Sequence, residues 1–146
     1  MTALFEHSPW VEARADARPS SGDRHADLMA VVATASDAER LALIRAHPEL
    51  AGKAAIDGTL TQASAAEQAS AGLDRLTAEE FARFHDLNTR YRARFGFPFI
   101  ICVRLTDKAG ILAAMAARLA NERDVEIATA IAEIGKITKL RLEGAA

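Results

Sequence analysis

An all-α fold, built as a single compact domain of about seven to eight helices, is what this 146-residue sequence predicts. Three observations lead there. Alanine is abundant, β-branched alternation is scarce, and apolar residues recur at spacings of three and four. Polar residues followed three positions later by Glu, a helix-capping pattern, stand ahead of several of these runs. The length suits one core better than two, so residues 1–146 read as one domain.

The elements follow in chain order. "RPSSGDR", Arg18 to Arg24, is rich in turn residues and predicts a surface loop. Ser36-Asp37-Ala38-Glu39 has the form of a capping box, and a helix should follow with Leu41, Leu43 and Ile44 facing inward. That helix should stop near Ala46, because the residue before Pro48 is pushed out of the helical region. Ser64 to Glu67 reads as another box. Thr77-Ala78-Glu79-Glu80 opens a helix carrying Phe84, Leu87, Tyr91 and Phe95, with Gly96 placed to end it. Asp107 can cap a helix with Ile111, Leu112, Met115 and Leu119 on one face. The last helix carries Ile127, Ile131, Ile134 and either Ile137 or Thr138, and should end near Leu142. Gly135 in its middle costs about 1 kcal/mol relative to Ala, which predicts a close neighbour. "GFPFIICVR", Gly96 to Arg104, has strand-like composition but nothing to pair with, so it predicts an extended segment or a buried helical turn.

Composition narrows the function. The chain is 50% hydrophobic and 26% charged with a formal net charge of −2, which suits a globular protein and not a nucleic-acid binder. Its arginines are scattered among acids, with no basic face. Cys102 is the sole cysteine, which excludes an intramolecular disulfide and a thiolate metal cluster. Within "FIICV" it reads as a buried, inert thiol. No spacing among the four histidines matches a zinc motif, so no metal is expected. No apolar run approaches the roughly 20 residues of a membrane span. "MTALFEHSPW" lacks the layout of a signal peptide and "EGAA" is no peroxisomal address, so a cytoplasmic protein is the expectation.

Three stretches carry candidate chemistry. His47, in "LIRAHPELAGK", sits where a helix should end, and a protonated imidazole there gains about 0.3–1 kcal/mol from the helix dipole. Alternatively Pro48 restricts His47 and aims its ring, and imidazole is the side chain best suited to proton transfer near neutral pH. "SAAEQ", Ser64 to Gln68, is either a helix start alone or a close-approach surface among small residues. "FPFIICVR" is either core ending in a solvated Arg104, or an extended backbone offering N–H groups to a flat heterocycle. The residues by themselves leave all three open.

Together, "LFEHSPWVEARA", "HPELAGK", "SAAEQASAGLD", "LNTRYRARFGFPFIICVR" and "AIAEIGKITKLRLE" resemble the 2-oxo-4-hydroxy-4-carboxy-5-ureidoimidazoline (OHCU) decarboxylase family of urate breakdown. The resemblance runs over nearly the whole chain, and the order of its motifs is more specific than any one of them. It implies an all-helical homodimer, free of metal and organic cofactors, that converts the ureidoimidazoline to (S)-allantoin and CO2. It implies His47 and Glu67 as catalytic residues. It implies Pro48, Ser64, Gln68, Phe97, Pro98, Phe99, Ile100 and Ile101 around the substrate, with Arg141 of "KLRLE" on its carboxylate. The partner is then a small molecule, with no nucleic acid and no membrane. The contrasting reading is a catalytically inactive helical binding or dimerisation module. Intact His47, Glu67 and Gln68 argue against it. A metal-dependent hydrolase lacks ligands.

Overall fold

Side chains that cap their own helices set the frame of the computed structural model, which describes residue 5, residues 7–52 and residues 60–145. Seven α-helices occur among the described residues: α1 (Trp10–Asp16), α2 (Arg24–Thr34), α3 (Asp37–Arg45), α4 (Gln62–Ser70), α5 (Ala78–Phe95), α6 (Lys108–Arg118) and α7 (Arg123–Ala145). A single 3-10 turn, Val103–Leu105, lies between α5 and α6, and the described residues form no strand.

The expected capping boxes form at Ser36/Glu39 and Thr77/Glu80, where each hydroxyl and each carboxylate takes one otherwise unpaired N–H. Asp107 caps α6 through the Gly110 N–H at 2.8 Å. The box expected at Ser64 is not the helix start. Thr61 caps α4 instead, accepting from the Ser64 N–H at 3.1 Å, and this places Ser64 inside the first turn, where it is buried. Asp23, at the end of the expected surface loop, caps α2. Helix α7 continues a turn past Leu142.

The core gathers the faces that the periodicity marks. Leu43, Ile44, Phe84, Leu87, Tyr91, Phe95, Ile111, Met115 and Ile134 are all buried, while Leu41, Leu112, Leu119, Ile127, Ile131 and Ile137 pack at its edge. Gly135 is where α7 meets α2: a Cβ there would lie 3.2 Å from the Met29 methyl, so the close neighbour is Met29. Gly96 ends α5 at φ +80°, a left-handed conformation that costs other residues about 1–2 kcal/mol. Beyond it the chain runs extended through Pro98–Cys102 with neither helix nor strand. Tyr91, Phe95, Phe97 and Phe99 stack beneath this segment, with ring centroids 4.6 to 5.9 Å apart.

The inward face of α7 is unusually polar. Glu126, Glu133, Thr138 and Arg141 are buried on it beside Ala130 and Ile134. A buried charge must be paired, and each charge here is. Glu126 accepts from the Tyr91 hydroxyl at 2.5 Å, Arg118 Nε at 2.8 Å and Asn121 at 2.9 Å. Burial, and then the Glu126 bond, hold the Tyr91 phenol far above its ordinary pKa. Glu133 accepts the Cys102 N–H at 3.0 Å, and Arg141 reaches Glu67 on α4.

Candidate active site

Two buried carboxylates of α7 hold the extended segment in place as a wall. Arg118, anchored on Glu126, donates to the Ile100 carbonyl at 2.8 Å and lies 4.3 Å over the Phe99 ring. Two positions on, Glu133 takes the Cys102 amide. Arg45, the last residue of α3, donates to the Gly96 carbonyl at 3.2 Å and ties the helix before His47 to the start of the wall.

His47 follows the end of α3, and its Nδ1 lies 2.9 Å from the Leu43 carbonyl. A carbonyl can only accept, so Nδ1 carries the proton and Nε2 is the ring nitrogen whose protonation can change. The helix end and the aimed imidazole are thus one feature. After Pro48 the loop turns back through Ala51, whose φ of +52° is rare for a residue other than glycine. Gln68 secures that turn: its side-chain carbonyl accepts from the Ala51 N–H at 3.1 Å, and its amide donates to the Glu49 carbonyl at 3.4 Å. Asn88 adds a bond to the Leu50 carbonyl at 2.9 Å. Removing the Gln68 amide leaves the Ala51 N–H without this acceptor, so Gln68→Ala is expected to lower stability by about 1–3 kcal/mol in urea unfolding. A change below about 0.5 kcal/mol, the ordinary surface range, would show that the turn stands without it.

Glu67, one residue before Gln68 on α4, takes Arg141 in a two-pronged ion pair, Nε to Oε2 at 2.8 Å and a terminal nitrogen to Oε1 at 2.7 Å. The two side chains retain only 14% and 5% exposure, so this pair is screened little by water.

These groups line one cleft that is continuous with solvent. The cleft brings together His47, Pro48, Ser64, Glu67, Gln68, Phe99, Ile100, Ile101 and Arg141 from the sequence-derived set. Phe97 and Pro98 do not line it. They are buried, and the Phe97 ring stacks against Phe95 behind the wall. Leu50, Cys102, Val103, Arg104 and Ile137 line the cleft and were not in that set. Arg104 read as a solvated charge and Cys102 as inert core. Burial does push the Cys102 thiol above its ordinary pKa, which fits an unreactive cysteine. No three His, Cys, Asp or Glu side chains among the described residues form a metal-binding group, and no helix of the described chain is long and apolar enough to cross a membrane.

An imidazole with one nitrogen held by a backbone carbonyl, a buried ion pair and an apolar wall with backbone edges thus meet in one cleft of an all-helical domain. A family model described as OHCU decarboxylase matches residues 1–143, and the chain belongs to that family, whose members are carboxy-lyases of urate degradation. The chain is 41% identical over 142 residues to the 2-oxo-4-hydroxy-4-carboxy-5-ureidoimidazoline decarboxylase of Haloferax volcanii, covering 95% of this chain and 82% of that protein. Against the Xenopus laevis enzyme of the same name identity is 46% over 100 residues, 68% of this chain and 57% of that one. A crystal structure of (S)-allantoin synthase superposes with a TM-score of 0.70 at 30% identity, covering 97% of this chain and 46% of that chain.

Proposed function

We propose that the His47 cleft converts 2-oxo-4-hydroxy-4-carboxy-5-ureidoimidazoline to (S)-allantoin and CO2, in a domain spanning residues 1–146 that works as a cytoplasmic homodimer. The observation that carries this reading is the convergence of His47, with Nδ1 fixed on Leu43, and the Glu67–Arg141 pair on one cleft beside the Phe99–Ile101 wall.

The substrate's own ring makes the reaction feasible without metal or organic cofactor. The ring carbon that bears the carboxylate also bears a hydroxyl and adjoins a C=N bond. When the bond to CO2 breaks, its electron pair forms a C=C bond, and the C=N pair moves onto nitrogen, which takes a proton. The resulting enol gains a proton on the carbon bearing the ureido group and loses its hydroxyl proton to become a carbonyl. The net change is loss of CO2 and uptake of one proton.

The protein must fix the ring, aim the carboxylate out of its plane and protonate one face. His47, through Nε2, supplies the proton. Glu67, oriented by Arg141, retains lone pairs to accept from a ring or ureido N–H. Ser64 and the backbone of Phe99, Ile100 and Ile101 bind the urea-like edges, and Pro48 limits the freedom of the histidine. Gln68 acts by holding the Pro48–Ala51 turn, while Phe97 and Pro98 support the wall from behind. Holding reacting groups in place is worth several kcal/mol, and a positioned acid about 10²–10⁴-fold in rate.

The test generates the substrate in situ from urate with urate oxidase and hydroxyisourate hydrolase, and follows circular dichroism. The expected result is a signal for (S)-allantoin that depends on this protein. Racemic product forming at the spontaneous rate would overturn the reading.

A further inference from the structure

We infer that Arg104 captures the substrate's carboxylate at the mouth of the cleft and acts on substrate entry, not on the bond-breaking step; the inference rests on the decarboxylase reading above. Besides His47, the described side chains with a lasting charge that line the cleft are Glu67, Arg141 and Arg104. Glu67 and Arg141 balance one another in their two-pronged pair. Arg104 stands on the exposed 3-10 turn directly after the wall, and among the described residues no carboxylate lies within ion-pair distance of it. Among the described residues that line the cleft, one positive charge, that of Arg104 on the exposed turn, is thus left without a counter-charge. That charge reaches inward: at the Cys102 thiol it acts in the opposite sense to Glu133 and Glu67.

The chemistry separates the two arginines. During decarboxylation negative charge leaves the carboxylate for the ring, so a cation clamped tightly on the carboxylate would stabilise the ground state more than the transition state and slow the reaction. Arg141 is buried and committed to Glu67, where it holds a carboxylate whose charge does not change. Arg104, exposed and on the rim, attracts the anion through a water-screened field that binds loosely. Once CO2 departs, the organic product is neutral and that attraction is gone, which favours exchange of product for the next anion.

The experiment compares the parent with R104Q and R104K. R104Q is expected to raise KM about 3- to 10-fold while kcat stays within about twofold, the pattern of lost uniform binding. It should also flatten the fall of kcat/KM with added salt, and R104K should recover most of the loss. A second arm measures equilibrium binding of urate, a flat heterocyclic anion at neutral pH, and of neutral (S)-allantoin; R104Q should weaken only urate. Unchanged kcat/KM in R104Q, or lowered kcat at unchanged KM, overturns the role of Arg104. If the parent makes no (S)-allantoin, the decarboxylase reading fails and the binding arm decides alone: urate that does not bind, or that binds R104Q as it binds the parent, overturns the inference.

Discussion

His47→Ala is expected to fold like the parent and to lose about 10²–10⁴-fold in the rate of (S)-allantoin formation. The ring is only half-buried at a helix end, so truncation removes little packing. What disappears is the nitrogen that exchanges the proton in the proposed mechanism. His47→Asn is the sharper variant, because its side-chain amide can still donate to Leu43 yet cannot shuttle a proton. Equal losses in the two variants, with matching unfolding curves, assign the effect to proton transfer. A folded His47→Ala protein with parental activity would remove His47 from the mechanism.

The second large effect concerns stability. Glu126→Ala is expected to cost about 3–5 kcal/mol in urea unfolding, because it strands the Arg118 guanidinium without its counter-charge. Glu126 is wholly buried and Arg118 retains 11% exposure, so water cannot take over. The same change strips the Tyr91 hydroxyl and the Asn121 amide of an acceptor. With native domains stable by about 5–15 kcal/mol, this is a large share. Replacing Arg118 and Glu126 together by methionine should cost less than Glu126→Ala alone, since apolar substitution of both partners leaves no orphan charge. A Glu126→Ala loss below about 1 kcal/mol, within reach of one ordinary hydrogen bond, would mean that the network is replaceable. The damage should also reach the cleft, since Arg118 holds the Ile100 carbonyl.

How much of this was legible in the sequence depended on how local each cause was. The ends of α3, α5 and α6 were legible because a capping side chain bonds to backbone three residues away, and Gly96 and Pro48 act on their own neighbourhoods. The start of α4 was misplaced because Thr61 and Ser64 can both cap, and burial of Ser64 within the fold decides between them. Asp23 was a readable cap inside a stretch read only as loop. On α7 the isoleucines drew attention, yet Glu126, Ala130, Glu133 and Arg141 share the buried face. Their spacing put those charges on one stripe, but their partners, Tyr91, Arg118 and Glu67, lie far away in sequence. In the cleft, local physics left His47 undecided between a helix end and a proton carrier. Only the combination of motifs spread from residue 47 to residue 141 singled it out, and no short-range rule contains that combination.

The extended wall after Gly96 also bears on solubility. A bare strand offers unpaired N–H and C=O groups to any other chain, and an apolar one such as "FPFIICV" is a template for edge-to-edge association. Here the Ile100 carbonyl and the Cys102 amide are taken by Arg118 and Glu133, in the places where neighbouring strands would bond. The aromatic side chains beneath are buried and Pro98 has no N–H to give. Helices have thus supplied, side chain by side chain, what a sheet would have supplied along its ladder. The segment stays extended without leaving these two groups as a sticky edge for its neighbours.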